Sequence, residues 1–349
     1  MIKKKIYRFL FYYFKAFTPD LVVKENKIIT KKLEKKDKIR DVKRKNLIKN
    51  KIKFYIIRIS PGAGFFSNFG YVLNHLKIAD DRNLIPVIDM KNFPTHYNEI
   101  NKINNSKNSW EYYFQKVSKF KLKNIYKEKN IYYSEKKTLK YFIHDYGNSK
   151  ILKKIKNKYI KLNPTIFKKF NKLTKFIFKN NRKVLGVYYR AGDMRTAPKH
   201  PFPPTITQII NATKKIIKKD KNNYIFISSE DEKFIKKFKK IFKDYKINYL
   251  KCFRYNKLHP YFVYPRQNHR YKLGRDILLE MLILSKCDSL IYSESNVIEA
   301  SNVYSLNKIQ KRYKINNGYN SSNFFFARWL WYVKSFLPKT LGGFNKEII

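Results

Sequence analysis

Residues 183–205 read KVLGVYYRAGDMRTAPKHPFPPT, a short apolar run rich in Val and Tyr that gives way abruptly to Arg190, Gly192, Asp193 and Arg195. Such a run reads as a buried strand that delivers polar groups at its end. The pattern recurs at FYIIRI (54–59), LIPVID (84–89), YIFI (224–227, followed by Ser228, Ser229, Glu230 and Asp231) and DSLIYSES (288–295). Helical periodicity fills the intervals between these runs. Strands alternating with helices predict an α/β fold whose sheets are largely parallel, with ligand chemistry at the carboxyl ends of the strands.

The residues that end the 183–205 strand suit an anion. The guanidinium groups of Arg190 and Arg195 offer forked donors to phosphate oxygens, and the Asp193 carboxylate can fix a loop or an arginine. An ordinary surface loop with a structural ion pair would use the same residues.

The chain has 349 residues, enough for two domains, and a 43% hydrophobic fraction that can supply their cores. Its 78 Lys and Arg outweigh 25 Asp and Glu, giving a formal charge of +53. A field of that sign attracts nucleic acid, acidic glycans and anionic membrane alike, and selects none of them. The basicity is spread through Lys-, Asn- and Ile-rich tracts, which marks part of it as compositional bias. No zinc pattern, RRM motif or KH loop accompanies it, so no specific nucleic-acid partner is expected.

Cys252 and Cys287 are isolated from each other and form neither a disulfide framework nor a CxxC site, which favours a reducing compartment. Cys287 follows an apolar helical pattern and reads as a small core residue. No run of 18 or more apolar residues suggests a membrane span. The basic-aromatic start, with YRFLFYYFKAF at 7–17, is interrupted by Lys15 and lacks a cleavage site. It reads either as a buried first helix or as a surface touching an anionic membrane. The expected location is cytoplasmic, with peripheral contact on the inner face of the membrane left open.

In the first half, FYIIRI leads into Ser60, Pro61, Gly62, Ala63 and Gly64, then a helical stretch, a break at Asn83 and the strand LIPVID. This is a βαβ unit. Gly62 and Gly64 permit a tight turn, and the helix start at Phe65 offers unpaired N–H groups to a ligand. GAGFFSNFG is nevertheless not a full GxGxxG fingerprint. Asp89, at the end of its strand, His96 and Glu99 are the first-half candidates for acceptor binding or base chemistry. Trp110, Tyr112, Tyr113 and Phe114 form either a core or a sugar platform. The Lys-rich region 116–181 reads as helices linking the domains.

In the second half, Pro203, Pro204 and Thr205 initiate a helix, and Glu230 and Asp231 end a strand. Arg266, His269, Arg270 and Arg275 gather before the helix RDILLEMLILSKCD, where Asp276 and Glu280 share the side away from the apolar face. Ser293 and Ser295 suit phosphate or ribose contacts, and Ser295 or Asn296 equally suits a helix cap.

Taken together, GVYYRAGD (186–193), FISSED (226–231) and DILLEMLILSKCDSLIYSES (276–295) resemble the sugar-nucleotide half of the GDP-fucose fucosyltransferase superfamily, as a divergent bacterial-type member. The Gly-rich stretch at 61–70 is similar to that group's first-domain loop. The family segment HxRRxD falls on Tyr188, Arg190, Ala191 and Asp193, with Tyr188 in place of the histidine and Ala191 in place of the second arginine. The resemblance implies a GT-B-like α/β fold, two Rossmann-like domains facing a cleft. Residues 1–165 would form the acceptor-side domain with basic insertions, and 166–310 the nucleotide-sugar domain. Residues 311–349 would be an aromatic helical segment packing back on the first domain.

It also implies metal-independent, inverting transfer of fucose from GDP-L-fucose to a glycan hydroxyl, with no resident cofactor. Arg190 would stabilise the departing diphosphate, with Gly62, Gly64, Phe65, Tyr188, Asp193, Arg195, Asp276, Ser293 and Ser295 around the donor. Glu99 or Asp89 would take the acceptor's proton. Another nucleotide sugar such as GDP-heptose, a nucleic-acid-binding role and a non-catalytic glycan-binding role are the alternatives.

Overall fold

A computed structural model describes residues 52–58, 64–128, 130–134, 149–190, 192–220, 224–254, 260–305 and 310–344. Gly62, Ala191 and the 7–17 segment lie outside the described residues.

Two parallel sheets organise the chain. The first contains β1 (Phe54–Ile57), β2 (Ile85–Ile88) and β3 (Ile131–Tyr133) in the order β2-β1-β3. Helix α1 (Phe65–Asp81) makes the crossover between β1 and β2, and Asn83 takes the left-handed conformation (φ 52°) that ends it, a geometry Asn tolerates well. The second sheet contains β4 (Val184–Tyr189), β5 (Tyr224–Ser229), β6 (Lys246–Tyr249), β7 (Ser289–Tyr292) and β8 (Lys311–Lys314), ordered β6-β5-β4-β7-β8. Every pairing is parallel, with Val187 opposite both Ile227 and Ile291.

Helices α2 (Ser149–Tyr159) and α3 (Pro164–Ile177) connect the sheets, and α4 (Ile206–Asp220) and α5 (Glu232–Ile241) follow β4 and β5. Thr205 and Gln208 cap α4 reciprocally: Thr205 N donates to Gln208 Oε1 at 2.8 Å, and Gln208 N to Thr205 Oγ1 at 3.2 Å. Asp231 caps α5 through Lys233 N and Phe234 N. Helices α6 (His269–Leu284), α7 (Asn296–Tyr304) and α8 (Phe324–Phe336) follow, and a single helical turn spans Leu122–Ile125 in the first region.

The alternation along β4 sends its two faces into different cores. Val184 and Tyr188 join the core that contains α6, while Leu185, Val187 and Tyr189 pack with Ile209, Ile216, Phe234 and Phe238 of α4 and α5. Gly186 sits on the α6 side, where a Cβ would stand 3.0 Å from Leu290 and 3.2 Å from Cys287 Sγ. Cys287 is buried in this core. The α6-side core continues without a break through α7, α2 and α1 to Tyr55 and Ile57 of the first sheet. The molecule therefore has two sheet-containing α/β regions in a GT-B-like arrangement, and a shared helical layer joins them.

Two strands escape the sequence pattern. β3 is three residues long within a lysine-rich region expected to be helical, and β8 is the basic segment KRYK. A charged edge strand is stabilised by its ladder while its lysines deter further pairing. β8 also extends the second region past residue 310. Helix α8 packs on the second region instead of the first, through Trp331, whose Nε1 donates to Pro203 O at 2.7 Å. Among the described residues, no helix is long and apolar enough to cross a membrane.

Candidate active site

In the second sheet the chain runs outward from β4 to β6 and then returns to place β7 on the opposite side of β4. The ends of β4 and β7 therefore diverge, which opens a crevice at the switch point. Arg190 leaves β4 there, and Ser293 and Ser295 leave β7. Tyr188 is buried, and burial raises its pKa against the opposing influence of nearby Arg190 and Ser295. Ser295 also caps α7, its Oγ accepting from Ile298 N at 3.3 Å. Ser293 is buried beside it.

Arg190 lies 3.7 Å from Asp193, and its buried Nε has no hydrogen-bond partner among the described residues. Burial disfavours its charge, but Glu230, Tyr188 and Asp193 outweigh that effect and hold its pKa above the ordinary arginine value. Gly192 makes the turn possible. Its φ is +51°, and a Cβ there would stand 2.9 Å from Glu230 Oε1. Glycine thus lets Glu230 close on the loop that carries Arg190.

The first region meets this crevice through α1. A Cβ on Gly64 would lie 3.7 Å from the Tyr261 hydroxyl, in ordinary contact, and Gly64 has φ −63° and ψ 170°. Its conformation therefore does not require glycine. Tyr97 Oη accepts from Phe65 N at 2.9 Å and lies 2.5 Å from Tyr261 Oη, so the Phe65 N–H is occupied within the protein. His96 stacks on the Tyr261 ring at 5.1 Å. Asn296 donates to Ser67 Oγ at 2.6 Å, which links the first turns of α1 and α7. Two helix N-termini and a guanidinium surround one crevice, a field that favours anions.

Several expected site residues serve other ends. Asp89 is fully buried and accepts from Lys91 N (3.1 Å), Asn92 N (2.9 Å), Asn92 Nδ2 (2.8 Å) and the Tyr126 hydroxyl. Four donors make it the staple of the turn after β2, with no lone pair left for a base. Glu99 accepts from the Tyr264 hydroxyl and from Tyr271 N at 2.8 Å, so it caps the first turn of α6 from the opposite region. Burial raises its pKa, opposed by the backbone N–H groups of Tyr271 and Arg270.

Asp276 is buried between Arg275 (2.6 Å) and Arg266 (3.3 Å), which makes it their structural counter-ion. Arg195 donates to Tyr189 Oη at 3.1 Å and lies over the Trp331 ring at 4.5 Å, so it fastens α8. His269 is buried: Arg266 Nε donates to its Nδ1 at 3.2 Å, which fixes the tautomer that donates from Nε2 to Pro260 O at 3.0 Å. Arg270 is also buried, and burial lowers its pKa. Trp110, Tyr112, Tyr113 and Phe114 are core residues.

The structure thus gathers Gly64, Tyr188, Arg190, Asp193 and Ser295, and adds Tyr97, Tyr261 and Glu230. Tyr97 and Tyr261 are 164 residues apart, and no local pattern couples them. A second omission is Arg254, which donates to Ser229 O, Leu250 O and Cys252 O and pairs with buried Glu280 at 3.5 Å. It ties the ends of β5 and β6 together. Among the described residues, no group of three His, Cys, Asp or Glu side chains is placed to hold a metal ion.

No protein-family model matches the sequence, and no curated protein matches it. The fold does have counterparts among solved structures. The fucosyltransferase NodZ from Bradyrhizobium superposes with a TM-score of 0.50 at 12% identity, over 77% of this chain and 97% of that one. Apo POFUT1 gives 0.44 at 9% identity, over 77% of this chain and 99% of that one. At such identity the NodZ likeness speaks to the fold alone, and it is consistent with the GT-B-like arrangement of the two α/β regions.

Proposed function

We propose that the protein is a glycosyltransferase that moves fucose from GDP-L-fucose to a hydroxyl of a glycan acceptor, with inversion. The observation that carries this reading is the position of Arg190. Its guanidinium stands at the switch point of the second sheet, beside the first turns of α7 and α1, where a diphosphate would meet convergent donors. The fold shared with NodZ supports the choice of donor.

In this reading the acceptor oxygen attacks the anomeric carbon as the bond to the diphosphate breaks. Negative charge grows on the leaving oxygens, and Arg190 and the α7 terminus stabilise it more strongly than the ground state. Tyr188 and Ser295 position the floor of the site. Asp89 and Glu99 are held by other donors, and inversion requires the acceptor's proton to leave on the face of the sugar opposite the diphosphate, away from Asp193 and Glu230. A separate cavity of about 510 Å³ beside β2 is lined by Lys91, Lys102, Lys107, Lys116 and Lys121, with Glu111 the only acid among the described residues that line it. It favours an acceptor that carries acidic groups.

A nucleotide-sugar panel tests the reading. GDP should be released slowly by donor hydrolysis without acceptor, and faster with an acidic glycan, to whose hydroxyl the fucose is transferred. Preferred turnover of GDP-heptose would move the donor assignment, and failure to bind any nucleoside diphosphate would sink the proposal.

A further inference from the structure

Helix α8 is apolar on two opposite sides, and the described residues cover only one of them. Ala327 and Trp331 are buried against Phe202, Phe344 and Arg195, and Asn320 Nδ2 donates to Ala327 O at 2.8 Å. Asn323 caps the helix at Phe325 N, and Phe344 N returns to Lys334 O at 2.9 Å, so both ends are fastened. The opposite side exposes Phe325 (67%), Trp329 (61%), Tyr332 (40%) and Phe336 (85%), with Phe326 and Val333 alongside. Spacings of four, three and four residues align those four on one stripe. Exposed apolar residues normally occur singly; a continuous stripe on a fastened helix marks an interaction surface.

We infer that this stripe docks the protein on the surface of an anionic lipid bilayer. Charge decides the occupant. No Asp or Glu occurs between Glu299 and Glu347, while Arg328, Lys334 and Lys339 lie in or just after α8, on a chain of net charge +53. Aromatic side chains flanked by cations suit the boundary between headgroups and acyl chains, where Trp and Tyr rings reside. At 13 residues, α8 is too short to span a bilayer that needs about 20, so it lies in the plane of the interface.

Vesicle flotation of the full chain tests the inference, with phosphatidylcholine vesicles compared with vesicles in which a third of the lipid is phosphatidylglycerol. Wild type should float with the anionic vesicles and roughly tenfold less with the neutral ones. The variant F325S/W329S/F336S changes only exposed positions and should lose roughly a hundredfold in affinity. Brominated lipid should quench wild-type tryptophan fluorescence and leave W329F largely unquenched, since Trp110 and Trp331 are buried. Equal flotation of the triple variant would assign binding to charge elsewhere and overturn the inference. Wild type that ignores vesicles also overturns it, and a dimer that the triple variant dissociates would give the face to a second copy of the chain.

Discussion

Replacing Arg190 by Ala removes the one guanidinium that the proposed mechanism places on the leaving diphosphate. Truncating one partner of a buried, hydrogen-bonded charge pair costs about 2–5 kcal/mol, and a hydrogen bond to a charged group contributes about 1.5–3 kcal/mol. Removing a forked guanidinium–phosphate interaction from a half-enclosed crevice should therefore cost about 3–4 kcal/mol, or roughly 10²–10³-fold in kcat/KM at about 1.36 kcal/mol per decade. The loss in kcat/KM should exceed the loss in donor affinity, because the leaving diphosphate carries more charge than the bound donor. Folding should change little. The Arg190–Asp193 pair is 3.7 Å apart with its carboxylate side chain 40% exposed, a geometry that contributes at most about 1 kcal/mol. Lys at this position keeps the charge but loses the fork, and should recover activity to within about tenfold of wild type. Calorimetric GDP titration, donor hydrolysis and a thermal melt read the three quantities separately. A folded R190A protein that binds GDP and turns over donor within about threefold of wild type would refute the reasoning.

Three further substitutions probe the supporting structure. Gly274→Ala would place a Cβ 2.3 Å from Tyr113 Oη and 3.0 Å from Tyr97, two buried side chains at the junction of the two regions. Overpacking of about 1–3 kcal/mol should exceed the helix-propensity gain of about 1 kcal/mol, so urea denaturation should show a net loss; added stability would contradict this packing. Arg195→Ala should leave GDP affinity within about twofold while hydrogen exchange in α8 accelerates, because the residue contacts Trp331 and Tyr189. A large loss of GDP binding would return Arg195 to the donor site. Glu280 has a pKa that burial pushes up to about 7 from 4.5, against the opposing pull of Arg254 and Ser228. Its folded form binds the proton more tightly than the unfolded chain, so this stabilisation is complete below the unfolded value and is lost as pH rises towards 7. Wild type should lose up to about 3 kcal/mol relative to E280Q between about pH 4.5 and 7.5. Parallel pH–stability curves would exclude the effect.

The strands with polar ends were legible because a buried parallel strand must be apolar along its length and must change character where it reaches the crevice. That rule locates Arg190, Ser293 and Ser295. It also singles out Asp89, since a carboxylate at a strand end looks the same whether it faces a ligand or staples its own turn. The four donors around Asp89 include Tyr126, 37 residues away, and that partnership has no local signature. Glu99 misleads for the same reason, because the helix it caps begins at His269. Arg195 carries a forked donor in the sequence, donates to Tyr189 and lays its guanidinium over Trp331, far along the chain in α8.

By itself the sequence determines the alternation of strand and helix, the absence of a long apolar span and the arginine at the end of β4. These follow from local periodicity and from the chemistry of single residues. Tertiary structure alone decides that Tyr261 reaches Tyr97, that Glu99 and Asp276 are consumed by partners, and that α8 turns one apolar face outward on the second region. Each of those outcomes depends on which distant groups compete for a given lone pair or a given patch of apolar surface. Such competition is resolved only when the chain closes on itself, because a carboxylate or an aromatic ring carries the same intrinsic chemistry whichever partner folding brings to it.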